Sequence, residues 1–478
     1  MTGFKEYDDY DALGLAELVA KGDVSADELL DEAIERTERI NPAINAIVMK
    51  HYDEARAAIK TGLPKGPFTG VPFLLKDLHV LLNGTITTYG SSLFEGYVAD
   101  HDATLTERYK KAGLVIFGKT NSPEFGLTLT TEPRLFGPTK NPWNLEHSPG
   151  GSSGGASAAV AAGILPLANA SDGGGSIRVP ASCTGTFGMK PTRARTPMGP
   201  DRGEGWAGQS SVHAISRTVR DSAALLDASM GTAPGDPYEV ASPARPYLED
   251  AAHDPKPLRI AKWTKRSDGT DAHPEIVAAI EDAAKLCEDL GHNVEEATVE
   301  FDVDEQRRAQ VILIAANIAL VVDARLAALG REQRQGDVET ATAALAELGR
   351  SISGPDYAGA SLYIHQLSRK YGAFHETYDL YLTPTLALPP APLGVIDMMS
   401  EDTANYTKIV REYCPYTAIA NQTGQPSMSV PLHWTESGLP IGTMFTAKFG
   451  DEATLFQLSG QLERARPWGQ KRAPTWAA

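Results

Sequence analysis

A chain of 478 residues, 42% hydrophobic and 22% charged, has the make-up of a globular protein with enough apolar side chain for a sizeable core. A formal charge of −17 repels phosphate backbones and argues against nucleic-acid binding through a broad basic face. Three cysteines, Cys183, Cys287 and Cys414, are odd in number and far apart, which argues against a disulfide framework or a zinc cluster and fits a reducing compartment.

The first ten residues are acidic and lack an apolar core, so no secretory signal and a cytoplasmic location are expected. Residues 1–60 read as a helical N-terminal segment. Ala12–Lys21 carries apolar residues at helical spacing and stops at Gly22. Ser25 with Glu28 forms a capping box, and the helix it opens is expected to end near Ile40, before Pro42. Val71–Leu75 and Leu114–Phe117 are short apolar runs bounded by Gly and Pro, which suits buried strands, and Ala103–Ala112 reads as a helix. Further on come a helix over Asp271–Leu290, a strand over Asn293–Phe301, a largely helical 303–375 region and a strand at Leu380–Thr383. A strand pair near Ser427–Val430 and Gly442–Thr446 and a helix from Glu452 to about Arg464 close the chain. This alternation predicts an α/β fold with helices covering the sheet. No segment reads as a linker, so a single domain over 1–478 is expected. The longest apolar runs, Val311–Val322 and the Ala-rich run from Ala156, fall short of the ~20 residues that span a bilayer, which predicts no membrane partner.

Two Gly/Ser clusters stand out: Ser148-Pro-Gly-Gly-Ser-Ser-Gly-Gly155 and Ser171-Asp-Gly-Gly-Gly-Ser-Ile-Arg178. Each could be a flexible turn, but Ala156–Ala170 joins them as an apolar element, and flexible linkers do not usually flank a core segment. A phosphate cradle lacks its lysine and its Gly-x-x-x-x-Gly-Lys-Ser/Thr string. A nucleophile elbow at Gly150–Gly154 needs a strand leading into it, and the preceding 138–149 segment holds Pro138, Pro142 and Pro149. Three glycines before Ser176 let backbone N–H groups converge into an anion-binding nest, and a tetrahedral intermediate is an anion. Gly173, Gly174, Gly175 and Ser176 are the candidate oxyanion hole, with Ser176 also the candidate nucleophile.

A nucleophilic serine needs a base. The 11 histidines are scattered and form no triad-like string. Lys76 ends the apolar run Gly70-Val-Pro-Phe-Leu-Leu-Lys76-Asp77, where a buried strand leaves the core. It either snorkels out to solvent or stays inside, where burial depresses its pKa. Bringing a lysine from ~10.4 to near 7 costs about 4–5 kcal/mol of differential solvation.

These strings together resemble the amidase-signature family: Lys76 in its apolar run, Gly-Gly-Ser-Ser-Gly-Gly at 150–155, and Asp-Gly-Gly-Gly-Ser-Ile-Arg at 172–178. Gly118-Lys-Thr-Asn121, Asn141-Pro-Trp143, Gly188-Met-Lys-Pro-Thr192, Leu382-Thr-Pro-Thr385 and Asn421-Gln-Thr-Gly-Gln-Pro426 run in the family's order over nearly the whole chain. The resemblance implies a mixed central sheet of about eleven strands covered on both faces by helices. It also implies a Ser–cisSer–Lys triad of Ser176, Ser152 and Lys76 that cleaves C–N bonds of amides, without cofactor or metal. Ser152 would sit on a non-proline cis peptide, and Asp172 and Arg178 would brace the turn. Thr128 falls where the family places a substrate-facing residue, and Ser153 and Trp206 are further substrate-binding candidates. Segments 195–215 and 303–375, with Met198, Trp206, Tyr357, Leu362 and Tyr363, would form a partly apolar pocket for a small amide, carbamate or ester. The family often has Ile or Thr where this chain has Gly173, so the oxyanion turn is expected to be roomier. The alternative within the family is the A subunit of a tRNA-dependent amidotransferase. That subunit tends to carry Tyr-Gly-Arg straight after Lys-Pro-Thr, where this chain has Arg193-Ala-Arg195. A monomer or homodimer is expected.

Overall fold

A computed structural model describes residues 4–477; Met1–Gly3 of the segment read as free of a signal, and Ala478, lie outside the described residues. The strands are β1 (Ile47–Lys50), β2 (Pro72–Lys76), β3 (Val115–Thr120), β4 (Leu167–Asp172), β5 (Phe187–Lys190), β6 (Ser211–Ser216), β7 (Arg259–Lys262), β8 (Asn293–Glu296), β9 (Leu380–Pro384), β10 (Ser427–Trp434) and β11 (Pro440–Ala447). Eight of them form one sheet in the order β4-β6-β5-β10-β11-β9-β7-β8, and β1-β3-β2 form a smaller one. The large sheet is mixed: neighbours from β4 to β9 are antiparallel, whereas β9, β7 and β8 run parallel. The implied eleven strands are therefore present among the described residues, divided between two sheets. β2 lies beside β4, and the Lys76 N–H donates to the Asn169 side chain at 3.2 Å. A side-chain amide stands where a ladder bond would fuse the sheets.

Local sequence accounts for most element boundaries. The Ser25–Glu28 box closes reciprocally, Glu28 N–H to Ser25 Oγ at 3.2 Å and Ser25 N–H to Glu28 Oε2 at 2.8 Å. The helix it opens runs Ala26–Ile44, through Pro42 rather than stopping before it. Pro42 falls in the last turn; its ring removes one i to i−4 bond, and the helix ends two residues later. Asn45 then takes a left-handed conformation, φ 49°, and ends the helix. β8 stops at Glu296 instead of reaching Phe301, because its one partner, β7, is itself only four residues long.

One apolar cluster lies under the N-terminal helices, with Leu15, Phe73 and Tyr109. Another packs the helices Pro274–Asp289 and Glu452–Ala465 against the large sheet through Ile280, Phe445 and Phe456. The helix Gly154–Ala161 is buried along its whole length between the two Gly/Ser clusters, which excludes the flexible-linker reading. The helix Val303–Leu329 corrects the expectation of no span-length apolar segment. By length and composition it could cross a bilayer, because the helix continues on both sides of the run counted from Val311 to Val322. Here it packs against the helices Thr340–Ser351 and Gly354–Phe374.

Candidate active site

β2 is buried from end to end, so its last residue, Lys76, is enclosed rather than snorkelling, with 1% of its surface exposed. Its Nζ lies 2.7 Å from Ser152 Oγ, 3.0 Å from Ser153 Oγ and 3.1 Å from Ser171 Oγ. All three partners are neutral hydroxyls. Burial therefore favours the uncharged amine and brings the pKa down to about 7, against the pull of the Asp172 carboxylate. An ammonium can donate to all three oxygens; a neutral amine has a lone pair left to accept from one, and Ser152 is the nearest.

Ser152 follows a cis peptide bond from Gly151, as the resemblance implies. The 126–131 segment packs hard against this loop. A Cβ on Gly151 would lie 2.3 Å from the Thr130 carbonyl oxygen, and one on Gly126 only 3.1 Å from Ser152 Oγ. Glycine alone permits that approach.

β4 delivers the second cluster. Its last residue, Asp172, accepts from the N–H groups of Gly175 at 2.7 Å and Ile177 at 3.0 Å. It also takes a two-pronged ion pair from Arg178, Nε at 3.0 Å and Nη2 at 2.9 Å. Burial alone would raise this carboxyl; the guanidinium overrides it and holds Asp172 well below the ordinary carboxylate range. Asn421 closes the brace, donating to Asp172 Oδ1 at 2.9 Å and accepting from Arg178 at 2.7 Å. These contacts correct the expected oxyanion hole. The Gly175 N–H is turned inward to Asp172, whereas those of Gly173, Gly174 and Ser176 have no protein acceptor among the described residues.

Gly173 also departs from expectation. The spare room is filled: a Cβ there would lie 2.7 Å from the Trp206 ring and 3.1 Å from Ser210 Oγ. Trp206 thus covers the turn, and it joins the apolar cluster of Leu78, Phe125 and Ile318. The other substrate-side candidates scatter. Ser153 is fully buried, bonded to Lys76 and donating to the Ser171 carbonyl at 3.1 Å, so it belongs to the lysine cage and not to a substrate surface. Thr128 is buried beside the Tyr406 hydroxyl. Tyr357 and Tyr363 tie two helices together around Leu313 and Ile364. Met198 packs with the N-terminal cluster, and Leu362 faces solvent at 57% exposure.

Ser176 is 7% exposed, and its carbonyl accepts from the Ser153 N–H at 3.3 Å. Its hydroxyl forms no hydrogen bond with Ser152 among the described residues. Sequence reasoning missed Ser171, Asn169, Thr417 and Gln310. Thr417 Oγ1 donates to the Gly174 carbonyl, and Gln310 lies over Gly174. Asn169 and Ser171 alternate along the buried strand Leu-Ala-Asn-Ala-Ser-Asp. That polar stripe in a core strand is the signal that could have found them. Among the described residues no group of three or more His, Cys, Asp or Glu side chains is placed to hold a metal ion.

The family model described as Amidase matches residues 28–456. The 6-aminohexanoate-cyclic-dimer hydrolase of Pseudomonas sp. (strain NK87) is 37% identical over 475 residues, covering 97% of this chain and 96% of that one. A solved 6-aminohexanoate cyclic dimer hydrolase superposes with a TM-score of 0.91 at 34% identity, over 98% of this chain and 99% of that one. A bacterial aryl acylamidase of the amidase-signature family superposes with a TM-score of 0.87 at 28% identity, over 96% and 97% of the two chains. The chain belongs to the amidase family, whose members hydrolyse amides.

Proposed function

We propose that this amidase works through an acyl-enzyme, with Ser176 as nucleophile, Ser152 as proton relay and Lys76 as base. The observation that carries the reading is a fully buried lysine, its pKa about 7, with its nitrogen 2.7 Å from a serine hydroxyl and no carboxylate among its hydrogen-bond partners. Neutral Lys76 takes the Ser152 proton as Ser152 takes that of Ser176, once bound substrate draws the two hydroxyls together. Ser176 Oγ attacks the amide carbonyl, and the N–H groups of Gly173, Gly174 and Ser176 hold the oxyanion. The relay then runs backwards, the amine leaves with the proton, and water repeats the sequence to free the acid. Asp172, Arg178 and Asn421 hold the turn in shape.

The substrate is a small amide with an apolar body, since Trp206, packed against the cluster of Leu78, Phe125 and Ile318, brings apolar surface to the turn. Nylon-like oligomers such as the dimer named for the relatives head the panel, followed by aryl and alkyl amides. A carbamate carbonyl suits the same nucleophile, so urethane cleavage is a further activity.

The test is a hydrolysis screen over that panel with fluorophosphonate labelling of the protein. Ser176→Ala should abolish labelling and lower kcat on the best substrate by at least about a thousandfold. Wild-type turnover in that variant would overturn the assignment.

A further inference from the structure

A cavity of about 450 Å³ is lined in part by Ile419 and Ala420 of the helix Ala418–Thr423, and by none of the catalytic side chains. Thr417, just before the start of that helix, and Asn421 reach Gly174 and Asp172, whereas Tyr416, Ile419 and Ala420 line the cavity. Neither Lys76, Ser152 nor Ser176 touches it, and neither does any residue of the oxyanion turn.

The cavity has the chemistry of a ligand site. Its volume falls in the range that small organic molecules occupy, about 300–1,000 Å³. Its walls are aromatic: Trp263, Phe301, Tyr371, Tyr381 and Tyr416. Two of the phenols are already satisfied, Tyr381 pairing with Thr298 at 2.8 Å and Tyr416 donating to the Thr264 carbonyl at 2.8 Å. What those rings offer inward is apolar surface.

One polar group in the wall is unsatisfied. Arg266 Nε is buried without an acceptor, and the guanidinium forms no salt bridge among the described residues. Asp268, whose carboxylate feels the Arg266 charge, accepts at Oδ1 from the N–H and hydroxyl of Thr270 and forms no salt bridge with Arg266 among the described residues. Lys265 and Glu300 also line the cavity but are exposed and opposite in charge, so they offset each other at its rim. A planar guanidinium with free donors matches a carboxylate in two-pronged geometry. A phosphate dianion would find a single half-buried cation and gain little from aromatic walls.

We propose that this cavity is a second binding site, for an organic carboxylate with an aryl or alkyl body, its anion on Arg266 and its body among Trp263, Tyr371 and Tyr416. Calorimetric titration of the full-length enzyme with 4-phenylbutyrate, and with the uncharged 4-phenylbutanol, tests it. The acid should bind the wild type with a Kd below about 10 mM, and Arg266→Gln should weaken it at least about tenfold while leaving amide turnover at the wild-type rate. The alcohol should bind at least about tenfold more weakly than the acid and be indifferent to that substitution. Ile419→Trp, which fills the hollow, should abolish the heat of binding. No binding up to about 10 mM, or binding of the acid that Arg266→Gln leaves unchanged, would overturn the proposal; the second result would place the ligand in the catalytic cleft.

Discussion

A lysine ammonium in water keeps its proton up to ~10.4. Lys76 releases it near 7, because it has left water and found three neutral hydroxyls in place of a carboxylate. That difference is worth about 5 kcal/mol against the charged form, most of what a base needs to be half-free at neutral pH. In the proposed mechanism only the neutral amine can accept a proton, so activity should be low where Lys76 is protonated and should rise with pH through about 7. Lys190 also titrates near 7, again through burial, but its Nζ donates to the Pro191 carbonyl and touches none of the serines. A profile of kcat/KM between pH 5 and 9 should therefore climb with a single midpoint near 7 and then level off. A flat profile, or a rise only above pH 9, would remove Lys76 from the role of base.

The 172–178 turn and the 199–208 loop form one unit. Trp206 and Ala207 both hold positive φ, 51° and 53°, a conformation that bulky residues adopt only when their surroundings impose it. The Arg193 Nε donates to the Gly208 carbonyl at 2.6 Å and anchors the loop, and its indole lies where a side chain at position 173 would point. Gly173→Ile should accordingly displace the turn and lower kcat/KM at least about tenfold. Adding Trp206→Gly to that variant should restore part of the loss, because it removes the clash. If Gly173→Ile retains full activity, or the second change only adds to the damage, the two elements are not packed as described. This pairing also marks where sequence reading ran out. Strands and helices were legible because apolar period and caps are local, and Lys76 because a charge ending an apolar strand is conspicuous. Gly173 reads as spare room in the sequence, since nothing in the string tells that Trp206, thirty-three positions away, returns to fill it. Ser153 reads as substrate-facing for the same reason: it lies in a loop, and its partners Lys76 and Ser171 come from strands β2 and β4.

Among the described residues the fold buries three lysines, Lys76 and Lys190 at about 7 and Lys119 at about 8, each pushed down by loss of water. Each is a debit at neutral pH, because the unfolded chain can keep a proton that the folded chain prefers to lose. From the folded value, about 7 for Lys76 and Lys190 and about 8 for Lys119, up to about 10.4, the unfolded state binds more protons, so stability rises with pH by up to about 1.4 kcal/mol per unit per lysine. Other groups work in the opposite sense. Burial pushes Asp221 and Glu463 up, costing stability as pH climbs from 4 to 7, and pushes Cys183 and Cys287 up to about 12, costing it above 8.5. A comparison with Lys76→Met cancels all of these and the −17 background, because both proteins share them. In urea denaturation at pH 7, 8 and 9, the wild type should gain on Lys76→Met by roughly 1 kcal/mol per unit. The gain should reach about 2 kcal/mol over the range, while the methionine variant has no hydrolytic activity at any of the three pH values. A stability difference that stays constant with pH would mean that Lys76 keeps its proton in the folded protein, and the base would have to be sought elsewhere.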